Sequence, residues 1–152
     1  MTIHTSSVIH PDADLAQGVK VGPFTTIGPN VRIGEGTIIG PNVLIEAGTV
    51  IGEDREIFHG ASLGGEPQIF NFKNVPATVE IGDGTVIREY VTIHRSGNEN
   101  GVTRVGKDCL LMAYSHLGHD CEIGDQVVIV NSTSLAGHVI VEDKVFISAL
   151  VG

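Results

Sequence analysis

The chain has 152 residues, of which 41% are hydrophobic and only 5% aromatic, with 20 glycines and a net charge of −9. This composition allows one domain with a core of small aliphatic side chains. It excludes a general nucleic-acid binder, because phosphate contacts need clustered lysine and arginine. The chain has no run of about 18 apolar residues, so no membrane-spanning helix is predicted. The N-terminal stretch lacks the regions of a signal peptide, and having two cysteines fits a reducing compartment, so we predict a cytoplasmic protein.

A period of six residues runs along the whole chain. Stepping by six from Ile3 meets an aliphatic residue at 24 of 25 positions, and Glu99 is the exception. Neither the 3.6-residue period of a helix nor the two-residue period of a strand produces this pattern. In chain order the aliphatic positions are Ile3, Ile9, Leu15, Val21, Ile27, Ile33, Ile39, Ile45, Ile51, Ile57, Leu63, Ile69, Val75, Ile81, Ile87, Ile93, Val105, Leu111, Leu117, Ile123, Ile129, Leu135, Val141 and Ile147.

A second position, four residues after each aliphatic, is often small or β-branched. Such residues are Ala13, Val19, Thr25, Val31, Thr37, Val43, Thr49, Cys109, Ser115, Cys121 and Val127. Each group of six is therefore read as a short strand and a corner, and three groups make one triangular coil. The pattern predicts an all-β parallel β-helix, a hexapeptide-repeat solenoid of about seven to eight coils, forming a single domain over residues 1–152. The two cysteines are predicted to fill the core.

The pattern weakens in two places. In the first, Pro67 and Lys73 occupy the small position, and in the second, Gly97 and Glu99 replace residues that would face inward. We predict two excursion loops, at about residues 64–78 and 95–103. Both keep the phase of six, so length alone does not exclude regular coils there. Loops on a rigid scaffold often carry binding residues.

None of the seven histidines occupies an inward position, so all are expected to face outward. His119 and His138 are 19 residues apart, which places them on adjacent coils, nearly stacked. His116 lies just around the bend from His119. Because neighbouring strands are about 4.8 Å apart, these three histidines are expected to converge on one surface patch.

The residues by themselves leave three interpretations of this patch open. The histidines could be solvated or lie in an interface. Imidazoles from adjacent walls could bind zinc. Alternatively, a histidine could act as a general base, because its side chain titrates near neutral pH. Asp120 directly follows His119 and could orient the ring or stabilise its charged form.

Several longer motifs resemble those of one family, the UDP-N-acetylglucosamine O-acyltransferases, across the whole chain. They are HPDADLAQGVKVGPFTTIGPNVRIGEGTIIG, GEPQ, IREYVTIHRSG, LLMAYSHLGHDCEIGD and NSTSLAGHVIVEDKVFISALVG. The resemblance implies that the β-helix is left-handed, against the usual handedness of crossovers. It also implies a homotrimer with active sites in the clefts between subunits. The implied reaction is transfer of a 3-hydroxyacyl chain from acyl carrier protein to the 3-hydroxyl of UDP-N-acetylglucosamine, the first step of lipid A biosynthesis, without a cofactor.

The resemblance also implies roles for individual residues. His119 matches the general base, Asp120 its partner, and the backbone N–H of Gly137 the oxyanion donor. The positions that match substrate-contacting residues are Gln68, His94, His116 and His138. A base and an amide donor suit attack of a weakly nucleophilic sugar hydroxyl on a thioester, and the reaction needs no acyl-enzyme or metal.

Two departures from the family pattern stand out. The family's first loop reads Gln-Asp-Leu-Lys, whereas this chain has Gln68-Ile69-Phe70-Asn71. The resemblance also implies further coils and a C-terminal helical domain beyond Gly152, so the chain is expected to be truncated relative to the family. Three alternatives stay open: a hexapeptide N-acyltransferase, a γ-type carbonic anhydrase with zinc between subunits, and a non-catalytic β-helix scaffold.

Overall fold

The computed structural model describes residues 1–152 and contains 22 short strands, β1 to β22, and no helix. All pairings are parallel and form three sheets, wound as a left-handed parallel β-helix, as predicted. The first sheet has eight strands and the other two have seven each, which gives seven complete coils and the first strand of an eighth. No helix of the structure is long and apolar enough to span a membrane.

Each sheet takes every third strand. The first sheet contains Thr2–Ile3 (β1), Lys20–Val21 (β4), Ile38–Ile39 (β7), Glu56–Ile57 (β10), Val86–Ile87 (β13), Leu110–Leu111 (β16), Val128–Ile129 (β19) and Phe146–Ile147 (β22). The second contains Val8–Ile9 (β2), Thr26–Ile27 (β5), Leu44–Ile45 (β8), Ser62–Gly65 (β11), Thr92–His94 (β14), His116–Leu117 (β17) and Ser134–Leu135 (β20). The third contains Asp14–Leu15 (β3), Arg32–Ile33 (β6), Val50–Ile51 (β9), Thr78–Ile81 (β12), Val102–Val105 (β15), Glu122–Ile123 (β18) and Ile140–Val141 (β21).

The core is the stack of aliphatic side chains that the period of six predicts. Leu63, Ile93 and Leu117 are completely buried, one coil above another, while Ile3 at the open first coil is 41% exposed. Most hydroxyls of the small position form hydrogen bonds inside the solenoid, whereas those of Thr49 and Ser115 have no partner. Thr25 Oγ1 donates to the carbonyl of Gly40 at 2.8 Å, and several others repeat this bond 15 residues along the chain.

The two cysteines are confirmed as core residues. Cys109 and Cys121 are free thiols, 2% and 0% exposed. Cys121 Sγ lies 3.1 Å from the carbonyl of Ala136, which follows the same spacing of 15 residues. Burial raises the pKa of both thiols, so neither is activated as a nucleophile.

Arg55 is a feature that the repeat did not reveal. It occupies the small inward position and is 2% exposed, and burial lowers the pKa of its guanidinium. Its Nη2 donates to Asp83 Oδ1 at 3.1 Å, while Nε and Nη1 have no partner. A Cβ at Gly52 would lie 2.3 Å from Nη2, so glycine at that corner leaves space for the guanidinium.

Both predicted loops are present, at residues 66–77 and 95–101, and we call them the first and second loop. Ile51 pairs with Ile81 rather than with a residue 18 further on, and Ile81 pairs with Val105. The loops therefore insert 12 and 6 residues between otherwise regular coils, which explains why the phase of six survives. Within the first loop, Ile69 is 37% exposed, so its match to the aliphatic period does not mark a core residue.

The two loops are fastened to each other. Arg95 Nη2 donates to Asn74 Oδ1 at 2.7 Å, and Arg95 Nη1 donates to the carbonyl of Gly64 at 3.3 Å. The amide of Asn100 donates to the carbonyl of Pro76 at 2.6 Å. These bonds hold the loops over the corner where the second sheet passes into the third.

Candidate active site

His94, His116 and His119 line a groove of about 460 Å³ where the second sheet turns into the third. All seven histidines of the chain are exposed or half-buried, as predicted from their positions in the repeat. The strands of the second sheet supply the floor, and the first loop supplies one side. The groove is lined by Gln68, His94, His116, Gly118, His119, Ser134, Leu135, Ala136, Gly137 and Gly152.

His119 and Asp120 form a hydrogen-bonded pair at this corner. His119 Nδ1 lies 2.7 Å from Asp120 Oδ2, and the two side chains are 20% and 12% exposed. Asp120 has a positive φ of 60°, which turns the backbone through the corner, and its amide donates to Thr103 Oγ1 at 2.8 Å. The corner therefore fixes the carboxylate on the side of the imidazole that faces the protein, leaving Nε2 towards the groove.

The carboxylate of Asp120 accepts hydrogen bonds from four groups. Ser96 Oγ and Asn98 Nδ2 donate to Oδ1, the latter at 3.1 Å, while the Gly97 amide at 3.1 Å and His119 donate to Oδ2. Burial disfavours the charged form, but these bonds outweigh burial and lower the pKa of Asp120 to about 2. The ionised carboxylate is only an acceptor, so in the neutral form of the His119 ring the proton lies on Nδ1 and the lone pair on Nε2.

Gly137 brings a backbone donor against the ring of His119. A Cβ at position 137 would lie 2.5 Å from both Cε1 and Nε2 of His119, so only glycine lets the ring pack there. The Gly137 N–H donates to no group of the chain. His119 and Gly137, whose backbone N–H has no partner in the chain, are thus in close contact and both line the groove.

His138 stacks one coil beyond His119, as its spacing predicted. The two rings meet edge to face with centroids 5.0 Å apart, and His138 Nε2 is 3.7 Å from Asp120 Oδ2. Its side chain is 66% exposed and does not line the groove itself. The structure therefore brings His138 to His119 and Asp120 rather than to the groove floor.

A second pair of histidines lies further along the groove. The rings of His94 and His116 meet edge to face at 4.7 Å, and His116 Nδ1 is 2.8 Å from Thr92 Oγ1. Burial lowers the pKa of both side chains, and for His94 the neighbouring His116 and His119 lower the pKa further. Both imidazoles are consequently neutral at pH 7 and can donate or accept hydrogen bonds.

The zinc interpretation meets a specific obstacle. One ligand atom each from His119, Asp120 and His138 lie within 4.8 Å of one another, which is close enough to share an ion. However, the Asp120 carboxylate already accepts hydrogen bonds from four donors, which a metal ion bound to it would have to displace. The geometry therefore favours a base with an orienting carboxylate over a metal site.

The sequence analysis missed the residues that surround Asp120. Ser96 is completely buried and Asn98 is exposed, and both lie in the second loop, 24 and 22 residues from Asp120. Thr103, which accepts from the Asp120 amide, is also completely buried. The sequence shows only a run of polar residues after His94. Loop residues have no position in the repeat, so their contact with Asp120 could not be predicted from the period.

Comparisons with known proteins agree with this geometry. The profile of the family described as "Bacterial transferase hexapeptide (six repeats)" matches residues 18–53 and 103–137. The acyl-carrier-protein–UDP-N-acetylglucosamine O-acyltransferase of Pseudomonas putida is 49% identical over 148 residues, which cover 97% of this chain and 57% of that protein. The corresponding protein of Herminiimonas arsenicoxydans is 44% identical over 146 residues, 95% of this chain and 56% of that protein.

Solved structures give the same result. The UDP-N-acetylglucosamine acyltransferase of Francisella novicida superposes with a TM-score of 0.95 at 42% identity, covering 97% of this chain and 54% of that chain. The one from Campylobacter jejuni superposes with a TM-score of 0.86 at 34% identity, covering 91% and 54%. The chain thus spans a little more than half the length of the curated relatives it matches. Over nearly all of its 152 residues, the chain is a homologue of the UDP-N-acetylglucosamine O-acyltransferases and carries the repeats of the bacterial hexapeptide transferases.

Proposed function

We propose that the chain transfers a 3-hydroxyacyl group from acyl carrier protein to the 3-hydroxyl of UDP-N-acetylglucosamine, the first step of lipid A biosynthesis. The observation that carries this proposal is the His119–Asp120 pair, which occupies Nδ1 and leaves Nε2 available, next to Gly137, whose N–H has no partner in the chain. The homology to O-acyltransferases named for these substrates supports it. The reaction needs a base and an oxyanion donor at one place, and this groove supplies both.

The proposed chemistry is a single displacement. Nε2 of His119 takes the proton of the sugar hydroxyl while the oxygen attacks the thioester carbonyl. The N–H of Gly137 stabilises the negative charge on the carbonyl oxygen of the tetrahedral intermediate. The intermediate then collapses, the carbon–sulfur bond breaks, and the imidazolium returns the proton to the leaving thiolate. Asp120 keeps the ring oriented and stabilises its charge during the cycle.

The remaining predicted residues are assigned to the substrates. Gln68, His94 and His116 line the groove beside the dyad, where neutral polar side chains can bind sugar hydroxyls or the acyl carbonyl. We assign His138, which contacts the ring of His119, to substrate binding at the exposed rim. Ile69 reaches the same neighbourhood without a charged group, because its Cδ1 approaches Gly97.

We also propose a cytoplasmic homotrimer in which a neighbouring copy completes the groove. The outer face of the first sheet carries a row of apolar side chains that are at least partly exposed, namely Ile38, Val86, Leu110, Val128 and Phe146. Packing this face against the second sheet of the next copy is a heterologous contact, which closes into a ring of three for a suitable rotation. The proposed partners are acyl carrier protein and the UDP-sugar, with no nucleic acid and no membrane insertion.

The decisive test is an acyl-transfer assay with UDP-N-acetylglucosamine and 3-hydroxyacyl carrier protein. It compares the 152-residue chain with a chimera that continues it with the C-terminal part of a relative, because the relatives are longer. Formation of the acylated UDP-sugar, insensitive to a chelator and abolished in His119→Ala, is the expected result. Absence of product from both proteins, when a complete relative is active in parallel, would contradict the proposal.

A further inference from the structure

The second loop supplies hydrogen bonds to the Asp120 carboxylate that the corner itself does not provide. Asp120 directly follows His119, but its Oδ1 and one lone pair of Oδ2 face residues 96–98, one coil away in the stack. At an ordinary corner of the solenoid no loop is inserted. The six residues added before β15 therefore have a local consequence, because they bring three hydrogen-bond donors to a single carboxylate.

The three donors are themselves connected. Ser96 Oγ donates to Asp120 Oδ1 and accepts from the amide of Asn98 at 3.0 Å. Gly97 lies between them, and a Cβ there would come within 2.5 Å of Ile69 Cδ1, so the glycine lets the first loop pack over the second. The donors are thus joined through the loop backbone, and the first loop packs on Gly97, so they are not free to follow the carboxylate.

A carboxylate with only His119 as its partner could rotate about its Cβ–Cγ bond. His138 Nε2, at 3.7 Å from Oδ2, offers a competing partner on the exposed side. His119 and His138 are the titratable side chains that face Asp120. The donors of the second loop oppose this rotation, because any other orientation would leave a buried serine hydroxyl without its acceptor.

We propose that Ser96 and Asn98 are positioning residues, which hold the Asp120 carboxylate in the orientation that accepts the Nδ1 proton of His119. This inference rests on the proposed function, since it assigns them to the general base of that reaction. The two residues act through Asp120 and do not touch the substrate. They keep the His119 lone pair on Nε2, pointing into the groove, and keep His138 from capturing the carboxylate.

The test follows Asp120 and His119 directly by nuclear magnetic resonance of the isotopically labelled chain. The carboxyl carbon of Asp120 reports its titration, and the ring nitrogens of His119 report which of them holds the proton. We expect Ser96→Ala to raise the pKa of Asp120 by about one unit, with a smaller rise in Asn98→Ala. In both variants the fraction of His119 with its proton on Nε2 should increase.

The controls separate positioning from simple destabilisation. Ser115→Ala also removes a completely buried hydroxyl, but that hydroxyl has no partner. Asn131→Ala removes an exposed amide remote from Asp120. Neither control should change the two signals. If Ser96→Ala does not fold, Asn98→Ala decides the question, because Asn98 is exposed.

Two outcomes would overturn the inference. One is an Asp120 carboxyl that titrates unchanged in both variants, and the other is a His119 ring that keeps its proton on Nδ1 in both. Because neither signal depends on turnover, failure of the acyl-transfer proposal would leave this test intact. In an active form of the enzyme, Ser96→Ala should lower kcat by about tenfold with KM unchanged, which a loss of substrate contacts would not produce.

Discussion

Aspartates make different contacts at two corners of this solenoid. Where the third sheet turns into the first, Asp125 Oδ1 accepts from the amide of Lys107 at 2.7 Å, and Asp143 Oδ1 accepts from the amide of Asp125 at 2.7 Å. These side chains connect one coil to the next. Where the second sheet turns into the third, Asp120 instead binds His119 and the second loop.

The difference lies in what faces each carboxylate. At the first of these corners the neighbouring coil presents a backbone amide, and Asp83 there is 52% exposed. At the second corner an imidazole and an inserted loop surround Asp120, whose side chain is 12% exposed. A repeat can therefore reuse one residue type to join neighbouring coils and to bind a histidine and a loop, and the neighbours rather than the residue decide which.

The largest expected effect is on kcat, which should fall on substitution at the His119 corner and not at the Asp143 corner. In an active form of the enzyme, His119→Ala should lower kcat by about 10² to 10⁴-fold, because a general base acts in the transition state. Binding of the UDP-sugar, measured by calorimetry, should survive. Asp143→Asn at the other corner is the matched control and should leave turnover unchanged. Near-normal turnover by His119→Ala would show that the base lies elsewhere.

The next largest effect is the loss of stability expected when a core side chain of the solenoid is truncated. Ile33→Ala removes a side chain that is 2% exposed, and it should lower the free energy of unfolding by about 2 to 4 kcal/mol. Ile38→Ala, at a position 42% exposed on the outer face, should cost much less in the dissociated chain. Urea unfolding followed by circular dichroism measures both. Equal losses would mean that the two positions are not inside and outside the solenoid as the structure has them.

Acid should distinguish Asp120 from an ordinary surface carboxylate. Its pKa is lowered to about 2, so the folded state favours the ionised form. The stability that this contributes, about 2 kcal/mol, is fully present above pH 4 and is lost as the pH falls towards 2. The stability difference between the parent chain and Asp120→Asn should therefore shrink over this range. A difference independent of pH would contradict the assigned hydrogen bonds.

Substitution at the corner where the third sheet turns into the first should lower stability by less. Asp143→Ala removes one hydrogen bond to an exposed backbone amide and should lower the free energy of unfolding by about 1 kcal/mol or less. Thermal unfolding of the variant measures this. A loss as large as that of Ile33→Ala would mean that the carboxylates of this corner support the solenoid more than their exposure suggests.

The smallest expected effect concerns substrate choice. Ile69 and Asn71 stand where the resembling family has an aspartate and a lysine, so the groove has fewer charged partners for polar groups of the substrates. We expect discrimination between 3-hydroxyacyl and unsubstituted acyl donors to fall below about tenfold in kcat/KM. Competition assays with the two donors measure this ratio. A strong preference for the 3-hydroxyacyl donor would count against the prediction.

The sequence by itself determined the solenoid, because one aliphatic residue per six fixes the strands and their inward faces and, outside the two loops, their register against the next coil. The same phase placed all seven histidines outside and stacked His138 on His119. Residues unsuited to inward positions predicted loops at about 64–78 and 95–103, which the structure places at 66–77 and 95–101.

Only the tertiary structure decided the contacts that have no period. It enclosed Arg55 in the core, turned Gly137 against the His119 ring, and placed Ser96 and Asn98 around Asp120. The physical reason is that a repeat specifies contacts between equivalent positions of neighbouring coils. An inserted loop has no equivalent position, and its contacts depend on how its own backbone and the neighbouring loop pack.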